Sequence, residues 1–124
     1  PVNNIVDINN LLSITYFDSI GAYDIEKLRP PIKFRIGKEG EDYIGIGRGD
    51  LNIEDLPVLS DEKGAFGSAT SDSERTMVTV ETRKLLLNRI SFHGTRGISE
   101  YLEHAGELLE KYADAQNIES RIII

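Results

Sequence analysis

The chain has 124 residues, 40% of them apolar and 28% charged, with a net charge of −7. This is enough for one domain with a core of its own, and the acidic balance argues against broad, unspecific nucleic-acid binding. Cysteine is absent, which excludes disulfides and thiolate chemistry, and no apolar run nears the roughly 18 residues of a membrane helix.

The spacing predicts a helix over Asn3 to Tyr16, with Ile5, Ile8 and Leu12 on its stripe and Val6 and Leu11 broadening it. Asn3 or Asn4 caps it, and Asp7 lies near its positive end. Asn9 and Asn10 are poor interior helix formers, either solvent-exposed or holding a neighbouring loop. Phe17 to Asp24 contains a short strand at Ile20 to Tyr23. Asp24 then caps a helical turn through Leu28, and Pro30-Pro31 stops it.

Ile32 to Ile36 alternates apolar residues with Lys33 and Arg35, the pattern of a strand. A turn at Gly37 to Asp42 and a second strand at Tyr43 to Ile46 predict a hairpin over 32–46. Gly45, Gly47 and Gly49 alternate without the lysine and helix of a phosphate-binding loop. A bulge or close strand packing fits them better. Leu56 to Leu59 reads as an edge strand with Pro57 at its start, followed by a hairpin turn at Asp61 to Gly64 and a return strand at Ala65 to Gly67.

Gly64 to Asn88 is the most unusual stretch. Small residues at Gly64, Ala65, Gly67, Ser68 and Ala69 let a backbone pass close to a ligand. A polar run, Asp72 to Thr76, follows. Thr79 to Thr82 forms one tight turn before a strand over Lys84 to Ser91. On that strand Leu85, Leu87 and Arg89 share one face, and Leu86, Asn88 and Ile90 the other. The polar residues form either a structural knot or a surface facing a substrate. A long helix spans Thr95 to Ala115, with Ser99 as N-cap and Ile98, Leu102, Ala105, Leu108, Leu109 and Tyr112 buried. Arg121 to Ile124 closes the chain as a strand. His104 with Glu100, Glu103 and Glu107 reads as a solvated acidic face rather than a metal face. The cations at Lys27, Arg29, Lys33, Arg35 and Lys38, and at Arg83, Lys84 and Arg89, read as solvated strand edges. Neither metal nor cofactor is expected.

Pro1-Val2-Asn3, Val6-Asp7, Asn10, Ser13, Tyr16 and the element Gly21-Ala22-Tyr23-Asp24 resemble the start of the B3/B4 domain of the bacterial phenylalanyl-tRNA synthetase β subunit. They also resemble free-standing proteins made mainly of that domain. Asp72 to Thr76, then Thr79 to Arg83 leading into the leucine-rich strand, is the second match, so the likeness covers most of residues 1–92. It implies an α+β domain: a β-sandwich-like core of unusual topology with helices packed outside. It also implies hydrolysis of tRNA wrongly charged with tyrosine, performed in trans by the free-standing relatives. The partner so implied is aminoacyl-tRNA, with an amino acid or small polar molecule as ligand, in the cytoplasm and away from membranes. Residues 1–124 are expected to form a single domain of this kind. Because such relatives carry a segment upstream, Pro1 is expected to mark the C-terminal part of a longer chain.

The substrate-binding residues implied are Asn10, Gly21, Tyr23, Ala65, Phe66, Asp72, Arg75, Thr76 and Asn88. Two departures matter. A synthetase histidine falls on Gly21, and the glutamate that reads the tyrosine hydroxyl falls on Asn88. The later Thr and Ala of the editing pocket have no counterpart after Phe92. Tyrosine specificity is thereby left open, although an amide at position 88 still exchanges hydrogen bonds with a polar side chain.

No Ser-His-Asp order suggests a nucleophile. His93 is a possible general base, but no catalytic side chain is assigned. The mechanism this favours is positioning: backbone amides of Gly64 to Ala69 hold the ester, Asn88 reads the side chain, and a tRNA ribose hydroxyl orients water. Asp72 and Arg75 form either part of this site or an ion pair knitting the loop. Two other functions compete: a non-catalytic amino-acid-binding module, and a structural domain that docks on a partner protein.

Overall fold

The computed structural model describes residues 2–16, 19–90, 98–113, 116 and 118–119. The expectations for Pro1, Phe17, Phe92, His93, the start and end of the long helix and the strand at Arg121 to Ile124 lie outside them.

The elements run α1 (Val2–Tyr16), β1 (Ser19–Asp24), β2 (Lys33–Ile36), β3 (Asp42–Gly45), β4 (Gly49–Asn52), β5 (Pro57–Asp61), β6 (Gly64–Ser68), β7 (Leu85–Ile90) and α2 (Ile98–Ala113). Two 3-10 turns, Ile25–Lys27 and Glu74–Thr76, interrupt them. Asp24 caps the first as the sequence predicts, its Oδ1 accepting from the Glu26 amide at 3.0 Å. The strands form three antiparallel groups, β1–β7, β2–β5–β6 and β3–β4.

Three apolar layers hold these groups together. The first lies between the helices and β1–β7: Ile8 and Leu12 of α1 and Tyr101, Ala105 and Leu109 of α2 meet Ile20, with Leu85 and Leu87 packed against them. The second joins Tyr23, Leu28 and Leu86 to Leu59 and Phe66. The third joins Val58 and Ala65 to Tyr43, Leu51 and Ile53. The alternation of Leu85 and Leu87 against Leu86 therefore places β7 between two cores, and β5–β6 divides the second from the third. Each fully buried ring or branched chain contributes roughly 1.5–3 kcal/mol. The fold is α+β, a sandwich of small sheets with the helices outside.

Several expectations need correction. Residues 32–46 do not form a hairpin: β2 pairs with β5, and β3 pairs with β4. The reason lies in the turn. Glu41 folds back to accept from the two terminal Arg35 guanidinium nitrogens, at 2.7 and 2.6 Å, and from the Lys38 amide at 2.8 Å. Gly47 and Gly49, at φ 69° and 70°, then turn β3 onto β4. Close strand packing does hold at Gly45, where a Cβ would lie 2.4 Å from Leu51 Cδ1. Pro57 starts the central strand of its sheet, not an edge strand; β2 and β6 are the edges. A proline at a strand's first residue spares the ladder. The apolar face of β2 is turned outward, with Phe34 and Ile36 more than half exposed. Ser99 lies inside α2 instead of capping it, and the buried stripe centres on Tyr101, Ala105 and Leu109. Arg89 stacks over the Tyr101 ring, 4.5 Å from its centroid.

Candidate functional site

The β1–β7 register sets Gly21 directly opposite Asn88 and Tyr23 opposite Leu86. Cross-strand partners and residues two apart share a face, so these four look toward β6. A register shift at Leu59/Ser60 pairs Leu59 with Gly67 and Ser60 with Ala65, leaving Phe66 as the extra residue. Such a bulge turns neighbouring residues to one face. Phe66 and Gly67 accordingly look toward Tyr23, while Ala65 joins the third layer.

Tyr23 is 2% exposed, and its ring stands edge-on to Phe66, with centroids 4.9 Å apart at 86°. Its hydroxyl donates to Asp72 Oδ1 at 2.7 Å. The same oxygen lies where a Cβ on Gly21 or on Gly67 would have to be, at 2.3 and 2.2 Å respectively. Glycine at both positions admits it. Gly67 also forms an isolated bridge with Asp72, and the Ser73 amide donates to Phe66 O at 2.8 Å. Burial pushes the Asp72 carboxyl up to about 6, only partly offset by the tyrosine hydrogen bond. Burial, then the carboxylate beside it, pushes the Tyr23 phenol well above its ordinary range.

Arg75 belongs elsewhere, so the Asp72–Arg75 pair does not form. Its guanidinium holds Asp61 in a bidentate pair at 2.9 and 2.8 Å. Asp61 also accepts from the Arg29 and Lys63 amides. Burial raises its carboxyl, but Arg75 and these amides outweigh burial and bring it below the ordinary range. Arg75 and Ala65, with Glu41, Tyr43, Lys63 and Ser73, line an open depression of about 700 Å³. Thr76 is fully buried, with Oγ1 lacking a hydrogen-bond partner among the described residues. Asn10 is exposed on α1, whereas Asn9 is half-buried with its side-chain oxygen enclosed.

Five of the predicted residues thus meet: Gly21, Tyr23, Phe66, Asp72 and Asn88. Ala65 and Arg75 meet on the other side of β6, and Asn10 and Thr76 join neither group in the hydrogen bonds described. Sequence reasoning left out Gly67, whose only signal was its place in the small-residue ribbon. It also missed Asp61, which looked like a turn residue alone. The ribbon's amides are less free than expected. Ser68 N donates to Ser71 O at 2.8 Å, and Ala65 N makes a long contact of 3.4 Å with Glu41. Tyr43 Oη, Ser68 and Ser71 form a further hydroxyl cluster. Among the described residues no group of three or more histidines or carboxylates gathers to hold a metal.

The profile of the B3/4 domain matches residues 1–120. The chain belongs to the B3/4 domain family. Its relatives include phenylalanine–tRNA ligase β subunits from Fusobacterium nucleatum, 29% identical over 70% of this chain, and Cutibacterium acnes, 30% identical over 84%. The same subunit from Carboxydothermus hydrogenoformans is 28% identical over 99% of the chain. The chain spans 11%, 13% and 16% of these three relatives in turn. In fold it is similar to an N-terminal fragment of the phenylalanyl-tRNA synthetase β subunit from Pyrococcus horikoshii. That likeness has a TM-score of 0.74 and 16% identity, covering 88% of this chain and 40% of the fragment. No described helix is long and apolar enough to cross a membrane.

Proposed function

We propose that this B3/4 domain hydrolyses the ester of mischarged aminoacyl-tRNA in trans. The observation that carries the reading is the gathering of Gly21, whose register partner is Asn88, and the bridged pair Gly67–Asp72 around the Tyr23 hydroxyl. Two glycines and a carboxyl gathered around one buried hydroxyl, with an amide on the paired strand, make this face more polar than a plain core. In this reading Asn88 contacts the amino-acid side chain by hydrogen bond, and the tRNA's own ribose hydroxyl orients the attacking water. Phenylalanine–tRNA ligase β subunits among the relatives support tRNA as the partner.

The test is release of amino acid from a panel of mischarged tRNAs by the wild-type chain and by Asn88→Ala. Turnover with the wild type and a loss of ~10-fold or more in the variant are expected, on the scale of one side-chain hydrogen bond to a bound polar group. No release above buffer across the panel overturns the proposal.

A second reading, a non-catalytic module for amino acids or similar small polar molecules, is favoured by one feature: Tyr23 already fills the space between the two glycines. It expects a melting-point rise with free amino acids in a thermal-shift screen, without ester hydrolysis.

A further inference from the structure

We propose that the open edge of β2 receives an extended segment of a partner protein as an added strand, apolar on one face and acidic on the other. The inference uses a different surface from the hydrolase reading and stands apart from it.

β2 pairs with β5 on one side, and no described strand pairs with it on the other. The pairing decides which backbone groups are left over. The Gly37 amide donates to Leu56 O at 2.7 Å, and Gly37 O accepts from the Asp55 amide at 3.0 Å, so Gly37 bonds toward β5. Backbone groups alternate in direction along an antiparallel strand, so Arg35 and Lys33 bond toward β5 as well. The N–H and C=O groups of Phe34 and Ile36 point the other way. Ile36 O accepts from Arg35 Nη1 at 3.2 Å and keeps a second lone pair. β6, the other edge of the sheet, is not open in this way: Gly67 bridges to Asp72, and Phe66 O accepts from the Ser73 amide.

The side chains on the β2 edge are costly to leave in water. Phe34 lies opposite Leu59 and so shares the face of the second apolar layer, but it is 58% exposed. Ile36 is 57% exposed, and Ile32, just ahead of the strand, 38%. The three alternate and form one row along the sheet margin. Free backbone groups beside an apolar row are what an added strand needs: the first give affinity, the second selects its side chains.

Charge chooses the occupant. Residues 29–41 hold four cations, Arg29, Lys33, Arg35 and Lys38, against two carboxylates, Glu39 and Glu41, in a chain of net charge −7. Arg35 and Glu41 neutralise each other, whereas Arg29, Lys33 and Lys38 are exposed. A second copy adding its own β2 across a two-fold axis would set Lys33 opposite Arg35, or Arg35 opposite itself, and bring two cationic patches together. A segment with valine or isoleucine alternating with aspartate or glutamate meets both faces. Its apolar side continues the Phe34–Ile36 row, and a carboxylate comes to lie opposite Lys33.

The experiment follows amide exchange in the wild-type chain by NMR during titration with a synthetic peptide of valine alternating with glutamate. A counterpart with lysine for glutamate is the control. Without peptide, the Phe34 and Ile36 amides should exchange freely, at a rate independent of protein concentration. The glutamate peptide should slow both by ~10-fold or more while leaving the Arg35 amide, which faces Val58, little changed. It should bind ~5-fold or more tightly than the lysine peptide. Ile36→Pro removes an outward amide and spares the ladder to β5, so it should abolish binding. Lys33→Glu should reverse the preference between the peptides. Phe34 and Ile36 amides already protected in the free monomer would mean that the chain covers this edge itself, and that overturns the proposal. Protection that grows with protein concentration assigns the edge to a second copy and overturns it too. So do a lack of protection by either peptide, equal affinity for the two, and unchanged binding by a folded Ile36→Pro. The wild-type readings decide the matter even if a variant fails to fold.

Discussion

A carboxyl from another part of the chain lies against each end of strand β6, and the two behave in opposite ways. At one end Glu41 lies against Gly64 and Ala65 and is clasped by the Arg35 guanidinium, whose hydrogen bonds, outweighing burial, hold its pKa down to about 2. At the other end Asp72 lies against Gly67 and receives a neutral phenol, and burial lifts its pKa to about 6. Both bonds are short. Two things differ, the depth of burial, much greater at Asp72, and the donor's charge: a guanidinium outweighs the modest loss of water around Glu41, whereas a phenol offsets only part of the larger loss around Asp72. The first end is built to hold a charge, and with Arg75 and Asp61 beside it forms a framework. The second end tolerates a poorly compensated carboxyl in a tight space. A site for a small polar ligand is expected to look like the second.

The strongest way to break this contrast is to crowd the second end. Gly67→Ala would place a methyl 2.2 Å from the Tyr23 oxygen and 3.0 Å from Asp72 Oδ1. The ring is fixed by Phe66 and its own hydrogen bond, so little can give. A loss of about 3 kcal/mol is expected in urea denaturation. A loss within error would mean that Tyr23 readily adopts another position, and the seat would not be fixed.

The framework end is tested by Arg75→Ala, which strips Asp61 of its guanidinium. The Asp61 carboxylate is fully enclosed, but the Arg29 and Lys63 amides still donate to it, and Arg75 is partly solvated. The cost is therefore below that of a wholly buried pair, about 2–3 kcal/mol by the same measurement.

Much of this arrangement was readable in the residues. Helical spacing located α1, turn chemistry located the β5–β6 hairpin, and Asp24 announced its cap. The resemblance brought Gly21, Tyr23, Asp72 and Asn88 into one list before any geometry linked them. Three things were not readable. The bulge at Phe66 depends on how β5 and β6 slide past each other, so strict alternation could not place Phe66 and Gly67 on one face. The choice of partner for β2 depends on Glu41 reaching back to Arg35, a tertiary contact that overrides an amphipathic pattern. The exchange of Asp72 for Asp61 as Arg75's partner follows from the same sheet geometry: the two carboxyls are equivalent in composition but lie on different sides of β6.

The two carboxyls also separate by pH, with the smallest effect of the three. For Asp72 the folded pKa of about 6 exceeds its ordinary 3.8. The folded state then binds the proton more tightly, so the associated stability is complete below about pH 4 and is lost as pH rises through about 6. For Glu41 the folded pKa of about 2 lies below its ordinary 4.5, so its stability is present above about pH 4.5 and is lost as pH falls toward 2. Asp72→Asn keeps an acceptor for Tyr23 while removing the charge. It should stabilise the fold at pH 7 by about 2 kcal/mol and flatten the slope between pH 4 and 6, after allowing for water reaching the site. Glu41→Gln should do the reverse, costing about 2 kcal/mol at pH 7 and little at pH 2. Urea midpoints across this range read both variants. If Asp72→Asn is less stable than wild type at pH 7, the phenol compensates the carboxylate as fully as a guanidinium does, and the two ends of β6 are the same kind of site.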